Sequence, residues 1–399
     1  MPDHDTREDI QLVSGEFWGH NPQEELRWLR EHAPVYWDGS VWGIARYEDV
    51  RRISKDPATF SSAGGIRPET GPTPMMIDMD DPEHWTRRRL VNRSYTPPRV
   101  RDREEQLTRI CHEIIDDVCE RGECDFVWDI AARLPLIVIA NDLGVEPEDR
   151  DQLLAWSDDM MSALVGDPDP DAGARAGDAF VGYSEYANRV MADRRENPRN
   201  DVMSTLCHAE IDGQRLDDFS IISESLLILI GGDETTRHVI SGGAYQLLSD
   251  GGAWAMLRAA PEKLPTAVEE MLRWVSPIKN MARTATRDVE YEGQLIHEGE
   301  KLLLLYPSAN RDEAVFSDPF RFDVERDPNP HVAFGYGSHL CLGHSLARLE
   351  LRTMFETLFA RLPDLALVDE AEPAFRPANF VSGYQSMPVR FTPTAPIGA

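Results

Sequence analysis

The chain has 399 residues, 41% of them hydrophobic, which is enough for one large domain or two medium ones. Its formal charge of −29 argues against a nucleic-acid partner, because the phosphate backbone would be repelled. The longest apolar runs, 134–140, 226–230 and 302–306, fall far short of the roughly 18–20 residues of a membrane span, and the opening M-P-D-H-D-T-R-E-D-I is acidic and polar, so a soluble, cytoplasmic protein is expected.

Taken in chain order, apolar periodicity predicts helices over 22–32, 47–54, 82–93, 99–121, 130–142, 147–164, 174–195, 200–208, 217–248, 253–259, 265–274 and 344–361. Short strands are expected at 35–37, 41–44, 288–291, 301–306 and 389–391. The breaker cluster G-D-P-D-P-D-A-G at 166–173 reads as a loop within the domain, since helical patterns flank it. No internal repeat or long linker divides the chain. The expected fold is mainly α with small β-sheets, one domain over 1–399, with helices enough to enclose a buried cofactor. The five cysteines, Cys111, Cys119, Cys124, Cys207 and Cys341, are odd in number and include no C-x-x-C pair, so neither a disulfide framework nor a structural zinc site is expected. Arg87, Arg88, Arg89, Arg93, Arg99, Arg101 and Arg103 concentrate positive charge on an acidic protein. They fit either a docking face for an acidic partner or a solvated helix face.

The predicted helix over 217–248 is nearly apolar all round in its middle, as a core helix should be, yet it carries Gly231-Gly232-Asp233-Glu234-Thr235-Thr236 at its centre. Each glycine costs about 1 kcal/mol relative to alanine in a helix interior. A buried acid costs more unless partnered. Two readings fit: a local opening where a small ligand meets backbone beside Glu234 and Thr235, or a kink with the acids exposed.

In L-P-T-A-V-E-E-M-L-R-W-V-S-P, Thr266 and Glu269 have capping-box spacing and the helix should end before Pro277. Glu270 and Arg273 share a face, which taken alone reads as a surface ion pair worth about 0.3–0.5 kcal/mol. Arg321 follows in the irregular stretch D-P-F-R-F.

The stretch F-G-Y-G-S-H-L-C-L-G, 334–343, matches neither G-x-x-x-x-G-K-[ST] nor G-x-G-x-x-G, so its glycines do not read as a phosphate loop. They suit a tight turn around Cys341, just ahead of an amphipathic helix. A thiol placed there is more readily a thiolate, fit for one axial bond to a buried metal. The plainer alternative, a structural core thiol, leaves the glycines and His339 unexplained.

Read together, these motifs resemble the cytochrome P-450 family of haem-thiolate monooxygenases. F-G-Y-G-S-H-L-C-L-G is similar to its F-x-x-G-x-x-x-C-x-G loop, G-G-D-E-T-T to its [AG]-G-x-[DE]-T groove, E-M-L-R to its E-x-x-R, and P-F-R-F to the segment that holds a third partner. The resemblance implies a P-450 fold around haem b with Cys341 as iron ligand. It implies Glu234 and Thr235 as the acid and alcohol at the oxygen groove, and a buried triad of Glu270, Arg273 and Arg321. Propionate partners implied are His84 and Arg88 of H-W-T-R-R, Arg283 of N-M-A-R-T, and His339. The stretches S-S-A-G-G-I-R-P, P-M-M-I-D-M-D-D-P-E-H, L-I-L-I-G-G-D-E-T-T-R-H and P-A-N-F-V-S-G-Y-Q-S-M-P-V further resemble actinobacterial hydroxylases of the cholesterol and cholest-4-en-3-one side chain. That implies terminal C26/C27 hydroxylation by a monomeric enzyme using O2, a ferredoxin and a ferredoxin reductase. The implied pocket is Met75, Met76, Leu227, Ile230, Gly231, Phe380 and Val381. A hydroxylase of fatty acids, terpenoids or a secondary metabolite is the alternative among enzymes, and a non-catalytic haem-thiolate sensor the alternative outside them.

Overall fold

The longest apolar segment organises the structure, a computed structural model that describes residues 6–164, 171–211, 213–250 and 252–398. It forms one unbroken helix, Asp218–Ser249, of 32 residues and so about 48 Å long. The Asp217 carboxylate starts it by accepting the Ser220 N–H at 2.7 Å. Most of its middle is buried, and Arg133–Leu143, Ala172–Glu196, Leu264–Val275 and His344–Arg361 all pack against it. The helix runs through the glycine pair without a break, and Asp233 and Glu234 beside it are buried, so the reading with the acids exposed fails.

Helices form where periodicity placed them, with two changes. The expected helix over 99–121 is divided into Pro97–Arg101 and Glu104–Asp116. The expected 166–173 loop lies mostly outside the described residues, and Ala172–Glu196 starts within its end. The Leu264–Val275 helix begins at Leu264 with no side-chain cap, so Thr266 and Glu269 form no capping box. Glu269 instead binds Arg348 Nε at 2.6 Å and His331 Nε2 at 3.0 Å. The helix ends at Ser276, whose φ of 40° lies in the left-handed region and turns the chain into Pro277.

A five-stranded sheet stands beside this helical body, in the order Val35–Trp37, Trp42–Ile44, Lys301–Leu305, Asn280–Ala285, Phe60–Ser61. Lys301–Leu305 pairs parallel with Trp42–Ile44 and antiparallel with Asn280–Ala285, setting Leu303 opposite both Gly43 and Ala282. The strand Asn280–Ala285 was not legible from the sequence, because N-M-A-R-T-A lacks an apolar alternation. Its period of two nevertheless sends Met281 and Arg283 to one face. Met281 joins a small apolar cluster of Ile66, Met161, Ala378, Phe380 and Val381, with Ile77, Ile230 and Ile278 against it. The long helix, the sheet and the C-terminal turn meet at this cluster.

Candidate active site

On the long helix, Gly231 is exposed and Thr235 half-exposed, while Asp233, Glu234 and Thr236 around them are buried. An added Cβ at Gly231 would meet no atom within 4 Å, whereas one at Gly232 would lie 2.8 Å from Ile139 Cδ1. Gly231 thus opens a groove on one face and Gly232 lets the helix close on Ile139 on another. Leu227, Gly231 and Thr235 follow at four-residue steps and share that open face. Thr235 Oγ1 donates to the Gly231 carbonyl at 2.9 Å, which holds the hydroxyl over the groove.

Glu234 is fully buried. Its Oε1 accepts from Arg237 Nη2 at 2.8 Å and Arg376 Nη1 at 2.9 Å, and its Oε2 has no partner. Burial raises its pKa, opposed by Arg237 and Arg376. Arg376 is partly exposed and so joins this carboxyl to solvent. The sequence already carried one of these partners, since Arg237 lies three residues after Glu234; Arg376 had no local signal. Burial also lifts Asp233 to about 7 and Glu350, on the His344–Arg361 helix, to about 8.

Gly335 and Gly337 both take positive φ, 71° and 78°, and a Cβ on Gly337 would lie 2.5 Å from the Ser54 carbonyl oxygen. The turn they allow brings the Cys341 N–H to the Phe334 carbonyl at 2.9 Å. Cys341 precedes the His344–Arg361 helix by three residues, so its sulfur receives the Gly343 and His344 N–H groups. Burial raises the thiol's pKa, opposed by those N–H groups and by the fields of Arg88 and Arg348.

Four basic groups gather next to this loop. His84 accompanies His339 with rings 4.1 Å apart and nearly parallel, and its Nδ1 meets Asp81 Oδ1 at 3.1 Å. Arg88 donates to the Leu340 carbonyl. Arg283 gives Nη1 to the Ala282 carbonyl at 2.7 Å. Among the described residues neither arginine has a carboxylate partner, and His339 Nε2 is buried with no hydrogen bond. Burial, then the charges of Arg283, His84 and Arg88, push His339 down to about 3. Arg283 is buried and Arg88 half-buried, and cations held there without a counter-anion are costly. Two carboxylates beside a planar group in contact with Gly231 and Cys341 would balance them, so the residues present fit a haem.

The expected triad needs one correction. Glu270 and Arg273 are fully buried and joined by two bonds of 2.7 Å, which removes the surface-pair reading. The third partner, however, is Arg326, whose Nε reaches Glu270 Oε2 at 3.1 Å. The Arg321 side chain is exposed, and only its carbonyl takes part, accepting from Arg273 and Arg326 at 3.3 and 3.0 Å.

The expected pocket residues divide. Ile230, Phe380 and Val381 meet in the small cluster described above, together with Ile66, Met161, Ile278 and Met281, which sequence reasoning missed. Met75 and Leu227 are partly buried against the main core, which also takes Met76, whose N–H is held by Glu224 Oε1 at 3.0 Å.

A cysteine loop, a cationic rim and a glycine-opened helix with an acid and an alcohol define a haem-thiolate oxygenase. The cytochrome P450 family model matches residues 262–370. The chain is 51% identical over 394 residues to a steroid C26-monooxygenase of Mycolicibacterium smegmatis, covering 98% of each. It is 49% identical to a steroid C26-monooxygenase of Mycobacterium tuberculosis, covering 98% of this chain and 99% of that one. A Mycobacterium marinum cytochrome P450 solved with pseudoionone superposes with a TM-score of 0.91 at 32% identity, covering 98% of this chain and all of that one. The chain belongs to the cytochrome P450 family, and its cofactor is a thiolate-ligated haem. No helix of the described residues is long and apolar enough to cross a membrane.

Proposed function

We propose that the protein hydroxylates the terminal methyl group of a sterol side chain, with cholest-4-en-3-one or cholesterol as substrate. The observation that carries this reading is half-identity along almost the whole chain to steroid C26-monooxygenases. The apolar cluster of Ile66, Met161, Ile230, Ile278, Met281, Phe380 and Val381 supports it, being soft and branched enough to hold a flexible hydrocarbon tail.

Bound haem supplies the activation of O2 and the transfer of one oxygen atom to a C–H bond. The chain's residues do the rest. Cys341 Sγ holds the iron, with the Gly343 and His344 N–H groups sharing the sulfur's negative charge. Arg283, Arg88, His84 and His339 hold the propionates. Thr235 keeps its hydroxyl over the Gly231 groove, and the unpartnered Glu234 Oε2 is the atom that carries a proton inward while Arg237 and Arg376 grip Oε1. The enzyme works as a monomer and takes its electrons from a ferredoxin served by a ferredoxin reductase. Arg89, Arg93, Arg99 and Arg101 remain exposed, and the Pro97–Arg101 helix packs against the helix that follows Cys341. These arginines present the face on which an acidic ferredoxin docks.

A spectral titration of the ferric enzyme tests the substrate. Cholest-4-en-3-one and cholesterol should shift the haem to high spin and, on turnover, yield the side-chain-terminal alcohol. A shift with a long-chain fatty acid and none with either sterol would overturn the assignment.

A further inference from the structure

One turn beyond Thr235, the long helix borders a second, small and partly open cavity, lined also by the N-terminal segment and the C-terminal turn. His238 leads from one site to the other, three residues after Thr235 and seven after Gly231, on the same helix face. Three basic side chains from separate segments line this cavity: His238, Lys279 and Arg311. They are 3%, 6% and 3% exposed.

Their donors are largely unmatched. Arg311 spends Nη2 on the Trp274 carbonyl at 3.0 Å, and its Nε and Nη1 have no partner. Lys279 Nζ makes a 3.2 Å bond to the Ser276 carbonyl. Neither ring nitrogen of His238 has a partner. Among the described residues, neither Lys279 nor Arg311 has an ion pair. The one carboxylate on the cavity wall, Glu372, is exposed and already accepts the Tyr384 hydroxyl at 3.0 Å. Burial and then the neighbouring Arg311 push Lys279 down to about 7. A buried guanidinium 4.5 Å from the Trp274 ring, a lysine whose charge burial disfavours and a neutral imidazole, all around one small space, favour negative charge there. The space is small, which favours a compact anion over a long carboxylic acid.

We propose that this cavity binds a small monovalent anion of chloride size, held by Arg311 and Lys279 with His238 as a neutral N–H donor. The anion fixes the pocket wall as well as neutralising the cavity. The Lys279 N–H donates to the Phe380 carbonyl at 2.7 Å, and His238 packs on Gly383, where an added Cβ would lie 2.3 Å from Nδ1.

Crystals of the holoenzyme soaked in sodium bromide test the site. An anomalous peak between Arg311 and Lys279 that disappears in Lys279→Met is expected; no peak, or one that survives the substitution, overturns the proposal. In solution the holoenzyme should melt about 1–3 °C higher in chloride than in gluconate at equal ionic strength. Equal melting in the two salts counts against the site. If Lys279→Met does not fold, Glu372→Gln carries the test. Removing the competing carboxylate should lower the chloride concentration for half of the effect about threefold, and an unchanged or higher concentration refutes an anion held by these cations.

Discussion

Replacing Arg326 should unsettle the haem-bearing half of the protein, and replacing Arg321 should not. Arg326 is 8% exposed and donates four times: Nε to Glu270 Oε2 at 3.1 Å, Nη1 to the Ser317 carbonyl at 2.7 Å, and Nη2 to the Asp318 and Arg321 carbonyls at 3.1 and 3.0 Å. Glu270 keeps Arg273, Asn329 and the Asp323 N–H, so Arg326→Met leaves it partly paired and not orphaned. Removing one partner from a buried ion pair costs about 3–5 kcal/mol, and the retained bonds place this variant near the lower end. Spread over the unfolding entropy of a chain this long, about 3 kcal/mol lowers Tm by roughly 4 °C. Arg321→Met should stay within about 0.5 kcal/mol, because it removes only an exposed side chain. The assay is thermal unfolding followed by far-ultraviolet circular dichroism and by the haem absorbance band, with haem content measured on the purified proteins. Equal losses from the two substitutions, or a larger one from Arg321→Met, would show that the third partner of Glu270 has been misassigned.

Thr235→Ala removes the hydroxyl above the groove and should raise peroxide release relative to hydroxylated product; unchanged coupling of electrons to product would remove Thr235 from proton delivery. Gly232→Val should destabilise the protein by about 1–3 kcal/mol, since its Cβ would meet Ile139 Cδ1 at 2.8 Å, while Gly231→Ala should leave Tm nearly unchanged and slow carbon monoxide binding to the reduced enzyme. Glu350 titrates at about 8 in the fold against an ordinary 4.5, so the folded state binds the extra proton between those values and loses stability as pH rises through them. Glu350→Gln should therefore gain stability over the parent above pH 4.5, levelling off above about 8, and a gain that does not change with pH would mean that Glu350 stays ionised in the fold. Cys341→His should still take up haem but lose the thiolate-type spectrum of the reduced carbon monoxide complex.

What the sequence revealed of this site depended on whether the chemistry was written locally. Cys341 with its glycines, and Gly231 to Thr235, each compress a function into ten residues or fewer, and one chain segment sets the geometry. Glu270 and Arg273 were visible as a pair, but their burial came only from the family resemblance, because helical spacing says only that two residues share a face. The third cation could not be chosen by proximity to a motif: Arg321 and Arg326 stand five residues apart in an irregular stretch with no period, and only the path of that stretch over Glu270 decides which side chain turns inward. The strand carrying Arg283 failed for a related reason. Its pairing with Lys301–Leu305 sets it in place, not any alternation of its own. Arg376 is the clearest case, since it meets Glu234 from 142 residues away. The same long closure brings the C-terminal turn against His238, so the acid at the oxygen groove and the basic cavity beyond it are completed by one segment whose sequence announces neither.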